Sequence, residues 1–140
     1  KDINPSYESF TNFINQVSEN GNNIVITTGL NSNNLIERLI LDSASKINED
    51  IYIYNIKKNI FIVNNPSFLD LESLLRKARI LITCHGAITH AAASYNIKII
   101  DIVEKSRDEL VKRYSLYIKN YYKIYRDNFK ILAHTLIHKI

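Results

Sequence analysis

Cysteine, glycine, proline and methionine are scarce in this chain, and each scarcity narrows its class. Cys84 is the only cysteine, so no disulfide framework exists and a reducing compartment fits. With three glycines and two prolines, no Pro/Gly/Ser linker is visible inside the chain. Purely apolar runs such as Ile80-Leu81-Ile82 fall far short of the roughly 18 residues that span a bilayer, so no transmembrane helix is predicted. No signal peptide is visible. An opening of Lys1-Asp2-Ile3-Asn4, with no methionine anywhere, reads as a piece excised from something larger.

What is present suits one ordinary domain. The chain has 140 residues, 46% apolar and 23% charged, close to the globular norm and unlike a disordered segment. The net charge of +4 is unevenly placed. Residues 98–140 hold ten Lys/Arg against five Asp/Glu, whereas residues 1–97 hold eight against nine. A basic segment of this kind fits nucleic acid, anionic lipid or a solvated helix face. The abundance of Ile, Asn, Lys and Tyr reads as codon bias from an AT-rich genome, which lowers the weight of any single Lys or Asn.

Hydrophobic periodicity predicts alternating helices and strands. Asn4-Pro5 and Asn20-Gly21 bracket a helix whose Phe10, Phe13, Ile14 and Val17 share a face. Ile24 to Thr28 is a β-branched strand without alternation, which predicts burial on both faces. Asn31-Ser32 caps a second helix carrying Leu35, Ile36, Leu39 and Ile40. Ile51–Tyr54 and Ile60–Val63 are short strands, the second better suited to the main sheet. Ser67-Phe68-Leu69-Asp70 resembles a capping box, opening a helix with Leu71, Leu74, Leu75 and Ala78 on one side. Ile80 to Thr83 is a strand, Gly86 to Tyr95 a helix and Ile97 to Val103 a strand. This order predicts an α/β fold, a Rossmann-like parallel sheet with helices on both faces. From about Arg107 the chain is predicted to stay helical, with Tyr114, Ile118, Tyr121, Tyr125, Phe129, Leu132 and Leu136 as its stripe. The predicted division is thus a Rossmann-like domain over 1–106, its first strand missing, and a long C-terminal helical extension over 107–140 packed on that domain.

In an open parallel sheet, ligands bind beyond the carboxyl ends of the strands. Those ends carry Thr27-Thr28-Gly29, Asn64-Asn65-Pro66-Ser67, Thr83-Cys84-His85-Gly86 and Val103-Glu104-Lys105. No acidic pair stands there, which argues against a response regulator and against a Mg²⁺ site. The densest constellation is Thr83 to Ala93. Gly86 lets backbone N–H groups approach a ligand, and a helix start beyond it favours a phosphate or diphosphate. His90, one helical turn after Gly86, can reach the same anion. The alternative is an ordinary turn with a hydrogen-bonded core histidine. Cys84 and His85 are adjacent and point to opposite faces of a strand, a poor nucleophile–base pair. With His90 they lack the ligand number and spacing of a zinc site, so no metal is expected.

The run Leu71-Glu72-Ser73-Leu74-Leu75-Arg76-Lys77-Ala78-Arg79-Ile80-Leu81-Ile82-Thr83, continuing through Cys84-His85-Gly86-Ala87-Ile88-Thr89-His90 to Ala93, resembles the C-terminal half of glycosyltransferase family 9. That family contains the ADP-heptose–lipopolysaccharide heptosyltransferases of two-domain GT-B architecture. The resemblance covers residues 5–104 in element order and residues 69–103 in sequence. It implies that Gly86 and His90 contact the diphosphate of a sugar nucleotide, with Cys84, His85 and Ala87 in the same loop. Cys84 and His85 stand where the family has Asp and Thr/Ser, and His90 falls four rather than three residues after the glycine. Thr27, Thr28, Gly29 and Asn33 resemble the loop that approaches the nucleoside. An ordinary strand-to-helix turn explains them equally well. Phe68 and Leu69 stand where the family packs a residue on adenine, although an apolar pair at a helix start also fits a hydrophobic staple.

The resemblance implies a nucleotide-sugar donor, ADP- or UDP-linked, and no cofactor. It places an N-terminal acceptor domain before Lys1 and a cytoplasmic location, peripheral to the inner membrane face through the acceptor. The expected function is donor binding in cell-surface polysaccharide or lipopolysaccharide synthesis, with these 140 residues inactive alone. A polysaccharide pyruvyltransferase-like domain, taking phosphoenolpyruvate, is the alternative enzyme. A non-catalytic α/β module is the alternative outside enzymes. Its Tyr/Lys stripe could stack on RNA, but helical core spacing favours packing, so no nucleic-acid partner is expected.

Overall fold

Ser6 opens the first helix, α1 (Tyr7–Glu19), its hydroxyl accepting from the Ser9 N–H at 3.1 Å. The cap expected at Asn4-Pro5 is thus displaced to Ser6, whose short side chain reaches back to the first turn as well as Asn does. Asn20 ends the helix and Gly21 takes φ +74°, the left-handed stop that glycine makes cheap. The computed structural model describes residues 4–29 and 33–140. The cap expected at Asn31 and Ser32 lies outside the described residues.

Two compact units divide the chain, Lys1–Ser67 with Asn128–Ile140, and Phe68–Asp127. In the first, β1 (Ile24–Thr27) leads to α2 (Asn34–Ser43), β2 (Ala44–Lys46), β3 (Ile51–Tyr54) and β4 (Ile60–Val63). The sheet order is β1-β4-β3-β2. β1 and β4 run parallel, Ile24 opposite Ile60 through Thr27 opposite Val63, while β3 and β2 add antiparallel. Ile14, Ile36, Leu39, Tyr54, Ile60 and Ile62 form the buried core, with Phe10 and Phe13 of α1 against it. The expected two-sided burial of β1 does not hold, because Val25 and Thr27 are exposed. A β-branched run suits any pleated surface, half-exposed or not, so it does not report burial of both faces.

The second unit begins with α3 (Phe68–Leu75), then β5 (Ile80–Cys84), α4 (Ala87–Ala92) with a 3₁₀ turn (Ala93–Tyr95), and β6 (Lys98–Val103). A further 3₁₀ turn (Lys105–Arg107), α5 (Asp108–Ser115) and β7 (Tyr121–Tyr125) complete it. All three strands are parallel in the order β5-β6-β7. The register puts Thr83 beside Asp101 and Asp101 beside Lys123. Leu75, Ala92, Ile97, Ile99 and Ile118 make the core, joined by Leu81, Ile88, Ala91 and Tyr121.

The α/β alternation expected from the sequence is therefore present, and parallel pairing occurs in both sheets. The segment after Arg107 is helix, strand, helix rather than one continuous helix, closing with α6 (Phe129–Ile137). α5 ends at Ser115, and Asn120, just before β7, takes φ +52°, a left-handed turn that Asn tolerates better than most residues. Asn96 takes the same conformation before β6 at φ +51°, and the Asn120 side-chain amide donates to Asn96 Oδ1 at 3.1 Å. α6 belongs to the first unit, where Phe129 packs on Phe10 and Phe13 with ring centroids 6.4 and 5.8 Å apart. No helix among the described residues is long and apolar enough to cross a membrane.

Candidate functional site

In a parallel sheet, partners in register point to the same face. Leu81 and Thr83 of β5, Ile99, Asp101 and Val103 of β6, and Tyr121, Lys123 and Tyr125 of β7 therefore share one face. Leu81, Ile99 and Tyr121 join the core there, with Ile88 and Ala91 of α4. Next to that core lies Asp101, a carboxylate flanked by Ile99, Ile100, Ile102 and Val103, with a residue exposure of 0%. Burial of a charge needs partners, and Asp101 has two on the same oxygen. Oδ2 lies 2.5 Å from Nδ1 of His85 and accepts from the Tyr121 hydroxyl at 2.7 Å. Oδ1 is buried with no partner among the described residues.

His85 follows directly on β5 and keeps 21% of its side chain exposed. Its ring meets that of His90 edge-on, centroids 5.3 Å apart. His90 is half-buried in α4, its Nδ1 2.7 Å from the hydroxyl of Tyr117, whose ring stacks on it at 6.1 Å. No hydrogen bond to Nε2 of either imidazole is made among the described residues. Burial pushes the Tyr121 phenol far up, and its hydrogen bond to Asp101 pushes it the same way. Tyr121 is thereby a fixed donor.

Gly86, between the two histidines, is extended at φ 179° and ψ −168°. A Cβ placed on it would meet just the Cys84 carbonyl oxygen at 3.8 Å, an ordinary contact, so neither backbone conformation nor packing demands glycine there. The backbone donor expected to face a ligand is already used, since the Gly86 N–H donates to Thr89 Oγ1 at 3.3 Å. The Thr89 N–H returns to the Gly86 carbonyl at 3.0 Å, closing the turn. α4 has six residues, too few to offer much of a dipole. Ala87 opens α4 exposed.

Cys84 is exposed, yet desolvation on its protein-facing side pushes the thiol up. The Arg126 guanidinium opposes this, and the Asp101 and Glu104 carboxylates reinforce it. It is a thiol at neutral pH, and His85 turns to Asp101 rather than to it. Phe68 and Leu69 stand at the start of α3, 57% and 72% exposed. Among the described residues no cluster of three or more His, Cys, Asp or Glu side chains could hold a metal.

The other four predicted residues lie in the first unit. Thr27 and Gly29 are exposed at the carboxyl end of β1. Thr28 is buried, and its hydroxyl ties β1 to β4 by accepting from the Asn65 N–H at 2.6 Å and donating to Asn64 Oδ1 at 3.4 Å. Asn33 caps α2, its side-chain Oδ1 accepting from the N–H groups of Leu35 and Ile36 at 3.0 and 3.4 Å.

Sequence reasoning missed Asp101, Tyr121 and Tyr117. Asp101 carried a readable signal, one carboxylate inside Ile99-Ile100-Asp101-Ile102-Val103, where an unpartnered charge would be costly. The tyrosines carried none, because their contacts depend on register and on the loop before β7. Compared with known protein families, curated proteins and solved structures, the chain shows no match. The site is therefore read from its own geometry.

Proposed function

We propose that the chain is the donor-binding part of a GT-B-type glycosyltransferase, similar to family 9, that binds an ADP- or UDP-linked sugar for cell-surface polysaccharide or lipopolysaccharide synthesis in the cytoplasm. The observation that carries this reading is the pairing of His85 and His90 around Gly86 at the carboxyl end of β5. Two imidazoles with uncommitted Nε2 atoms flank a glycine that the fold does not require. Bare backbone at such a point leaves room for a ligand to come close. The diphosphate would meet imidazole nitrogens more than backbone amides, since the Gly86 N–H is occupied. The chemistry this serves is departure of a nucleoside diphosphate, its developing charge stabilised by fixed hydrogen-bond donors.

Calorimetric titration of the 140-residue chain with UDP-sugars and ADP-sugars tests the reading. Saturable binding is expected, and His90→Ala should weaken it by about 1–3 kcal/mol, the range for a hydrogen bond to a charged group. The melting temperature should move little, because the hydrogen bond that His90 makes with Tyr117 is solvent-exposed. Saturable binding of phosphoenolpyruvate that nucleotide sugars do not compete away would instead identify a pyruvyltransferase-like site.

A further inference from the structure

Asp101 has no place in the diphosphate contacts proposed above, yet it is the most deeply sealed charged residue touching them. An ionised carboxylate accepts and never donates. With Asp101 taken as the carboxylate, both groups on Oδ2 donate, Tyr121 through its hydroxyl and His85 through Nδ1–H. The neutral imidazole carries one hydrogen, so a proton fixed on Nδ1 leaves Nε2 as a bare lone pair. The groups facing His85 are Asp101 from β6 and His90 from α4, with Tyr121 behind the first and Tyr117 behind the second. None of these supplies a hydrogen bond to Nε2.

We propose that Asp101, held by Tyr121, is a positioning residue that fixes His85 as the Nδ1–H form and presents Nε2 to an anionic group of the ligand, with the proton for that contact taken up from solvent. In the loaded state the imidazolium then bridges two anions, the Asp101 carboxylate on Nδ1 and a phosphate oxygen on Nε2. The same buried carboxylate that sets the tautomer also balances the charge acquired on binding. This rests on the donor-binding reading for the identity of the anion alone; the tautomer and the working nitrogen follow from the Asp101 contacts.

Long-range ¹H–¹⁵N correlation spectra of the full chain, with His85 assigned through His85→Gln, test it. In the free protein above the imidazole titration range, His85 should show a protonated Nδ1 and a bare Nε2. Titration with inorganic pyrophosphate at neutral pH should carry the Nε2 shift into the protonated range. Asp101→Ala should abolish the tautomer bias and weaken pyrophosphate binding at least tenfold. The wild-type spectra decide the matter even if that variant does not fold. An Nε2–H tautomer in the free protein, or an Nε2 signal unmoved by pyrophosphate at millimolar concentration, would overturn the proposal. Nucleotide sugars that bind no better than pyrophosphate, while still moving Nε2, would sustain it and remove the donor reading. Nucleotide sugars that bind without moving Nε2 would do the reverse.

Discussion

Gly86 and Tyr121 show how differently single residues report on the site. Gly86 sits in an extended conformation where a Cβ would make one ordinary contact, with the Cys84 carbonyl oxygen. Gly86→Ala should thus fold normally, its stability changed by no more than about 1 kcal/mol in the stabilising direction, because alanine restricts the unfolded chain more than glycine does. Nucleotide-sugar affinity should fall, since the methyl group occupies the approach to the backbone. Equal affinity in the two proteins would show that the glycine serves neither fold nor ligand. Tyr121 is set by electrostatics instead. Burial and the Asp101 hydrogen bond raise its folded pKa above the phenol value near 10 of an unfolded chain. A group raised on folding contributes stability that is fully present below the unfolded pKa and declines as pH rises past it. Urea unfolding at pH 9, 10 and 11 should show this decline in the wild type and a shallower one in Tyr121→Phe. Some slope will remain, because burial raises Tyr54 and the Glu72 hydrogen bond raises Tyr95.

Elements were legible where the pattern was local. The seven strands include the five runs expected from β-branched composition, α1 and α2 carry the apolar faces read from spacing, and α3 buries Leu75 of its stripe. The failure at β7 is instructive. Tyr114, Ile118, Tyr121 and Tyr125 recur every three or four residues, which fits a helix, but Tyr121 to Tyr125 is itself aromatic and β-branched, which fits a strand. Asn120, left-handed immediately before Tyr121, is a local turn signal at the strand start, and discounting asparagine as codon bias hid it. Asn33 raises the opposite problem, a predicted ligand residue with a structural task. Its side chain satisfies the first turn of α2, so Asn33→Ala should cost about 1 kcal/mol and Asn33→Ser nearly nothing, as measured by urea unfolding. If the residue served only as the cap, nucleotide-sugar binding would be equal in both variants once folded. Weaker binding in Asn33→Ser at unchanged stability would assign it a ligand contact as well.

At the scale of the whole molecule, chain order and spatial grouping part company. A sequence read from left to right suggested a domain followed by an extension, because local periodicity carries no information on which distant elements share a core. In the structure the chain leaves the first unit at Phe68 and re-enters it at Asn128, where α6 packs on α1. The join is aromatic: Phe129 meets Phe13 edge-on and Phe10 at a tilt, geometries that add to simple area burial. Asn128 starts the helix by accepting from the Lys130 N–H at 3.0 Å, so the return is capped as well as packed. Leu132 and Leu136 are buried on the same helix. Phe129 is half-buried, so Phe129→Ala should cost about 2 kcal/mol, below the range for a fully enclosed phenylalanine. The expected signature in amide hydrogen exchange is faster exchange across α1, which is adjacent to α6 in space although the whole of residues 68–127 lies between them in sequence. The β5, β6 and β7 amides should keep their protection, since their core is built from residues 68–127. Uniform deprotection of both sheets would show instead that the two units unfold as one cooperative body.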